Sequence, residues 1–100
     1  MESSLKSKIS AKLERIKKYE AETPVDVAVI AKTLADDYKE LGDLYLKAAD
    51  SKSAAKAFKK AEESDLKFVK SEFSYDKAFM ERTLKERKAY WNKVMENLKK

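Results

Sequence analysis

One glycine, Gly42, and one proline, Pro24, are all the chain-breaking residues in this sequence of 100. Sheets need tight turns, and tight turns draw on glycine, proline and asparagine for backbone angles that other residues avoid. So few breakers argue against a β-rich fold and for long helices. Thirteen alanines, the strongest helix formers, point the same way. Leucine, isoleucine, valine and phenylalanine together number 21, just above the roughly one-fifth below which a highly charged chain stays disordered. The expectation is an all-α fold in a single helical domain over 1–100: a small antiparallel bundle of about four helices.

Cysteine and histidine are both absent. That removes disulfides, thiolate and imidazole metal sites, and Cys or Ser–His nucleophiles. With one glycine there is also no glycine-rich phosphate loop. The opening MESSLKSKIS has no apolar run of secretory type. No stretch approaches the ~20 apolar residues of a membrane span. The expected compartment is the cytoplasm.

Charge is distributed by segment. Residues 1–20 carry +3, residues 21–50 carry −4, and residues 51–70 and 71–100 carry +3 each, giving the net +5. An acidic second element among basic neighbours fits charge matching between packed helices better than a single-sign face for nucleic acid.

Apolar spacing places the helices. Leu5, Ile9, Leu13, Ile16 and Tyr19 form a narrow stripe on a first helix over 4–21, its other faces rich in lysine. Thr23-Pro24-Val25-Asp26 reads as a helix start, with Thr23 as cap and Pro24 at the first helical position. From there Val27, Ala31, Leu34, Tyr38, Leu41, Tyr45 and Ala48 alternate by four and three. That is a coiled-coil-like seam on a second helix over 24–49. Gly42 on its flank costs ~1 kcal/mol against alanine, which predicts a close helix–helix approach there. Asp50 or Ser51 caps a third helix carrying Ala54, Ala57, Phe58, Ala61, Leu66, Phe68 and Val69.

Two architectures compete beyond Lys52, since no glycine or proline follows it. One continuous C-terminal helix would run about 70 Å at 1.5 Å per residue. The alternative breaks near 71–74, with a fourth helix over 75–98. The apolar phase favours the break: Phe79, Met80, Leu84, Trp91, Val94, Met95 and Leu98 make a new seam, while Glu72, Asp76 and Arg87 interrupt the old one.

Residues 35–66 resemble a tetratricopeptide repeat, a helix–turn–helix unit of 34 residues. Tyr38, Leu41, Gly42, Tyr45, Ala54, Phe58 and Ala61 fall at its signature offsets. The resemblance implies a tightly packed hairpin of the second and third helices. The repeat occurs once: a shift of 34 residues in either direction meets no second signature, and a lone unit does not build the family's concave groove.

Chemistry has one candidate. Asp36, Glu40 and Asp43 share a helical face with Lys47, and such clusters can hold Mg²⁺ together with substrate phosphates. Glu40-Leu41-Gly42-Asp43 is similar to the ExxD element of the MazG-like nucleotide pyrophosphohydrolases, whose upstream ExxE partner is missing. Lys32, Lys39 and Lys47 nearby suit ordinary surface pairing instead. No catalytic, cofactor-binding or metal-ligating set is therefore expected, and no cofactor.

The reading is a non-enzymatic helical module that binds another protein or itself, most simply as a homodimer. Phe68, Phe73, Phe79, Tyr90 and Trp91 are its candidate contacts. The alternative is a nucleic-acid-associated protein in which Arg87, Lys88 and Lys93 meet phosphates while Tyr90 and Trp91 stack on bases. A Mg²⁺-dependent pyrophosphohydrolase is the third reading.

Overall fold

The computed structural model describes residues 2–21 and 27–98, with side chains placed over 4–21 and 28–98. These form four helices: α1 (Glu2–Ala21), α2 (Val27–Lys47), α3 (Ser51–Glu72) and α4 (Lys77–Leu98). No strand occurs among the described residues. The expected helix start at Thr23-Pro24-Val25-Asp26 lies outside them.

The second helix ends two residues before the expected Ala49 because the backbone reverses hand there. Ala49 sits at φ 59°, the left-handed region that glycine usually occupies at a helix end. The Asp50 N–H donates to the Tyr45 carbonyl (2.9 Å) and the Ala49 N–H to the Leu46 carbonyl (3.0 Å), which satisfies those two carbonyls at the end of α2. Asp50 then starts α3, its carboxylate accepting the Ser53 N–H at 3.0 Å.

The continuous C-terminal helix does not form. Phe73 closes α3 with its N–H on the Val69 carbonyl (3.0 Å), and the Asp76 N–H turns back to the Phe73 carbonyl (3.2 Å). The Asp76 side chain then accepts the Phe79 N–H (3.1 Å) and opens α4. A carboxylate cap and a cluster of aromatic rings make this turn without glycine or proline.

The α2–α3 pair forms the largest helix contact. Ala54 and Ala61 are fully enclosed, and Phe58 is buried beside them. A Cβ built on Gly42 would lie 2.6–2.8 Å from three atoms of the Phe58 ring, closer than carbon atoms pack. Hydrogen at that position is thus what lets the two backbones close. The α2 seam is spent inside the chain: Ala31, Tyr38 and Leu41 are buried, the last two in a core shared with Ile16 of α1, Phe58 of α3 and Trp91 of α4.

Backbones touch in chain order only among the described helices, α1 on α2, α2 on α3 and α3 on α4. The bundle is therefore open, a slab of 47 × 35 × 14 Å. Its radius of gyration of 14.6 Å exceeds the ~13 Å of a compact 100-residue domain. No described helix is long and apolar enough to cross a membrane.

Candidate functional site

The five candidate contact residues divide between two places. Phe68, Phe73 and Phe79 meet at the α3–α4 turn, where they are joined by Tyr75. Phe73 is the hub, with ring centroids 6.2 Å from Phe68, 6.5 Å from Tyr75 and 5.0 Å from Phe79, all edge to face. That geometry sets positive ring edges against negative faces. Tyr75 is 81% exposed and Phe79 37%. Two cations edge the cluster, Lys32 at 5.8 Å over Phe68 and Arg82 at 5.4 Å over Phe79.

Tyr90 and Trp91 lie in the C-terminal half of α4, their rings 5.0 Å apart. Tyr90 remains 42% exposed, with the Lys39 ammonium 5.6 Å over its ring. Trp91 is only 4% exposed and is not a surface contact residue. Its indole N–H donates to the Asp65 carboxylate at 2.8 Å. Burial of the ring against its own chain satisfies both its apolar body and its polar edge.

This arrangement also removes the stacking face that nucleic-acid binding would take from Trp91. Arg87 is committed to Asp65, with one guanidinium nitrogen 3.3 Å from each carboxylate oxygen. Lys88 and Lys93 are exposed.

The three carboxylates of the second helix also separate. Glu40 pairs with Lys12 of α1. Asp36 and Asp43 instead line the side of α2 that looks toward α4. Among the described residues no group of three or more Asp, Glu, His or Cys is arranged to hold a metal ion.

Sequence reasoning missed two residues that organise the structure, Asp37 and Asp65, both buried. Asp37 accepts from Arg15 Nε (3.0 Å) and Lys12 Nζ (3.3 Å), fastening α1 to α2. Asp65 accepts from Trp91 and Arg87, fastening α4 to α3. A signal was present: Asp65 stands four residues from both Ala61 and Val69, on the apolar stripe, and Asp37 stands on the stripe of Leu34 and Leu41. A charge on a core stripe demands a partner. Among the described residues, no buried side-chain nitrogen or oxygen is left without one.

The α1 joint has a further tie, the Tyr38 hydroxyl donating to Glu20 at 2.7 Å. Burial, then this carboxylate acceptor, pushes the phenol well above its usual range. The Lys12 ammonium is likewise raised, first by its hydrogen bond to Glu40 and against the opposing effect of burial, with Asp37 adding to it. At the α2–α3 turn, the Ser53 hydrogen bonds hold the Asp50 carboxyl below the ordinary aspartate range.

Comparison with protein-family models, with curated proteins and with solved structures finds no match to this chain.

Proposed function

We propose that the chain is a non-enzymatic helical interaction module that associates with a second copy of itself through the aromatic end at the α3–α4 turn. The observation that carries this is the Phe73-centred cluster: four aromatic side chains in one edge-to-face set, with Tyr75 almost wholly in water. Contiguous apolar surface of this kind marks contact sites. Around it Lys70, Lys77 and Arg82 interleave with Glu72, Asp76 and Glu81, a mixture that can face its own copy across a two-fold axis.

Total surface supports the same reading. The chain exposes 7183 Å², whereas a compact monomer of its mass exposes about 5,800 Å². The difference exceeds the roughly 800 Å² that each partner buries in a standard interface. The enclosed Gly42, Ala54 and Ala61 seam supports a tetratricopeptide-like hairpin as the scaffold.

Static light scattering from low micromolar to submillimolar concentration tests the proposal. The mass should climb from one chain to two, and a Tyr75→Ser, Phe79→Ser double variant of unchanged helicity should stay at one. A single-chain mass throughout, or a double variant that dimerises like the parent, contradicts it.

A further inference from the structure

A groove runs between α2 and α4 with α3 as its floor. Two cavities make it up, of about 390 and 420 Å³, and both reach Lys39. Because α2 and α4 each run opposite to α3, they run parallel to each other, so the groove keeps its walls along its length. On the α4 side it spans Glu86 to Leu98, about 18 Å at 1.5 Å per residue. That matches three turns of a docked helix.

Apolar side chains pave it: Phe58 below, Leu46 on one wall, and Tyr90, Val94 and Leu98 on the other. Leu46 and Tyr90 are both exposed. Charge is the second observation. The lining holds four carboxylates, Asp36, Asp43, Asp65 and Glu86, against two cations, Lys39 and Arg87. In a chain of net charge +5 this concavity is locally acidic. Asp65 and Arg87 cancel each other, which leaves three acids and one cation, Lys39, among the remaining charged lining residues.

We infer that this groove receives a basic amphipathic helix from a partner protein, its apolar stripe against Leu46, Tyr90, Val94 and Leu98 and its flanking Lys or Arg side chains against Asp36, Asp43 and Glu86. Helix-in-groove recognition reads apolar anchors at i, i+3 or i+4, and i+7; opposite charge at the rim sets orientation and association rate. The groove is a second surface, distinct from the aromatic end. The inference extends the interaction-module reading to a partner of stated chemistry and does not require that the chain dimerise.

Trp91 lines one of the cavities and is the only tryptophan of the chain, so its emission reports on occupancy. The probe is a tryptophan-free helical peptide of three to four turns with leucines at i, i+4, i+7 and i+11 and lysines beside them. A control peptide replaces each lysine by glutamate. Titration into the full-length protein should give saturable change with the basic peptide and little with the acidic one. The Asp43→Asn, Glu86→Gln double variant should bind the basic peptide about three- to tenfold more weakly, as the loss of two exposed ion pairs implies. These side chains are exposed, so the fold should persist, and circular dichroism verifies it. Tight binding should also weaken with added salt.

Equal response to both peptides, no saturable response, or an unaltered affinity in the double variant would overturn the inference. Light scattering on the same samples separates this result from self-association. Loss of peptide binding with dimerisation intact rejects the groove alone, and the reverse rejects the aromatic contact alone.

Discussion

The α2–α3 seam and the two outer joints hold helices together by different means. At the seam the backbones close on small residues: Gly42 yields to the Phe58 ring, and Ala54 and Ala61 are sealed. At the outer joints a buried aspartate does the fastening, Asp37 for α1 and Asp65 for α4. The seam gains by dispersion and apolar burial and requires no partner groups. Each aspartate gains only because cations or an indole N–H meet it; alone it would be a buried charge with a large desolvation cost. Highly charged helices such as α1 and α4, with narrow apolar faces, are thereby tied to a core too thin to hold them by burial alone.

The two aspartate joints also differ from each other. Asp65 is held by an indole that is itself buried and by a half-exposed Arg87, whereas Asp37 is held by two cations, Lys12 and a half-exposed Arg15. Replacing Asp65 by Ala should therefore have the largest effect. It leaves the Trp91 N–H without an acceptor inside the protein and should cost about 3 kcal/mol in urea unfolding, with Trp91 emission shifted. Asp37→Ala should cost less, about 1–2 kcal/mol, because its cations can return to water. Equal losses would mean that the burial of Trp91 does not distinguish the joints.

Gly42→Ala sharpens the contrast with the seam. On an open helix the change would stabilise by ~1 kcal/mol. Here the new methyl meets the Phe58 ring, and overpacking of 1–3 kcal/mol should reverse the sign, leaving a net loss of about 1 kcal/mol. Gly42→Ala in a Phe58→Leu background should lose most of that penalty. Stabilisation by Gly42→Ala in the parent chain would show that the helices are not held by close approach.

Alkali should part the joints selectively. Lys12 and Tyr38 both have folded-state pKa values raised above their unfolded values of 10.5 and 10.0. Their contributions are complete below those values and fade as pH rises toward the folded ones. Indole is a donor that does not titrate there, and arginine keeps its charge. Between about pH 10 and 12, the α1 joint should weaken to what the Arg15–Asp37 pair still holds, with helicity falling in part while Trp91 emission holds. Simultaneous change of both signals would contradict separate joints. The smallest effect belongs to Ala49→Gly, which relieves the left-handed strain at the end of α2 and should stabilise by about 0.5 kcal/mol, read as a rise in the thermal midpoint.

The helices were legible because their stripes are periodic and their breaks have chemical markers. Asp50 caps where its spacing to Ala54 and Ala57 says it should, and Gly42 marks the close approach. The turn at 73–76 was legible only as a change of apolar phase, since Asp76 and Phe73 break the helix through a cap and a packed ring. Asp37 and Asp65 were obscured because a carboxylate on a helix reads as surface until the partner helix is known, and those partners lie 22 to 26 residues away. Trp91 was read as shared between core and contact for the same reason: Asp65 decides it. The grooves between α2 and α4 depend on how far apart those helices stand, which no periodicity encodes.

Hydrogen–deuterium exchange at dilute and concentrated protein tests the interaction-module account most directly. The account predicts that protection gained on concentration is confined to the end of α3, the 73–76 turn and the start of α4. Exchange independent of concentration, or protection that gathers on α1 instead, would contradict it.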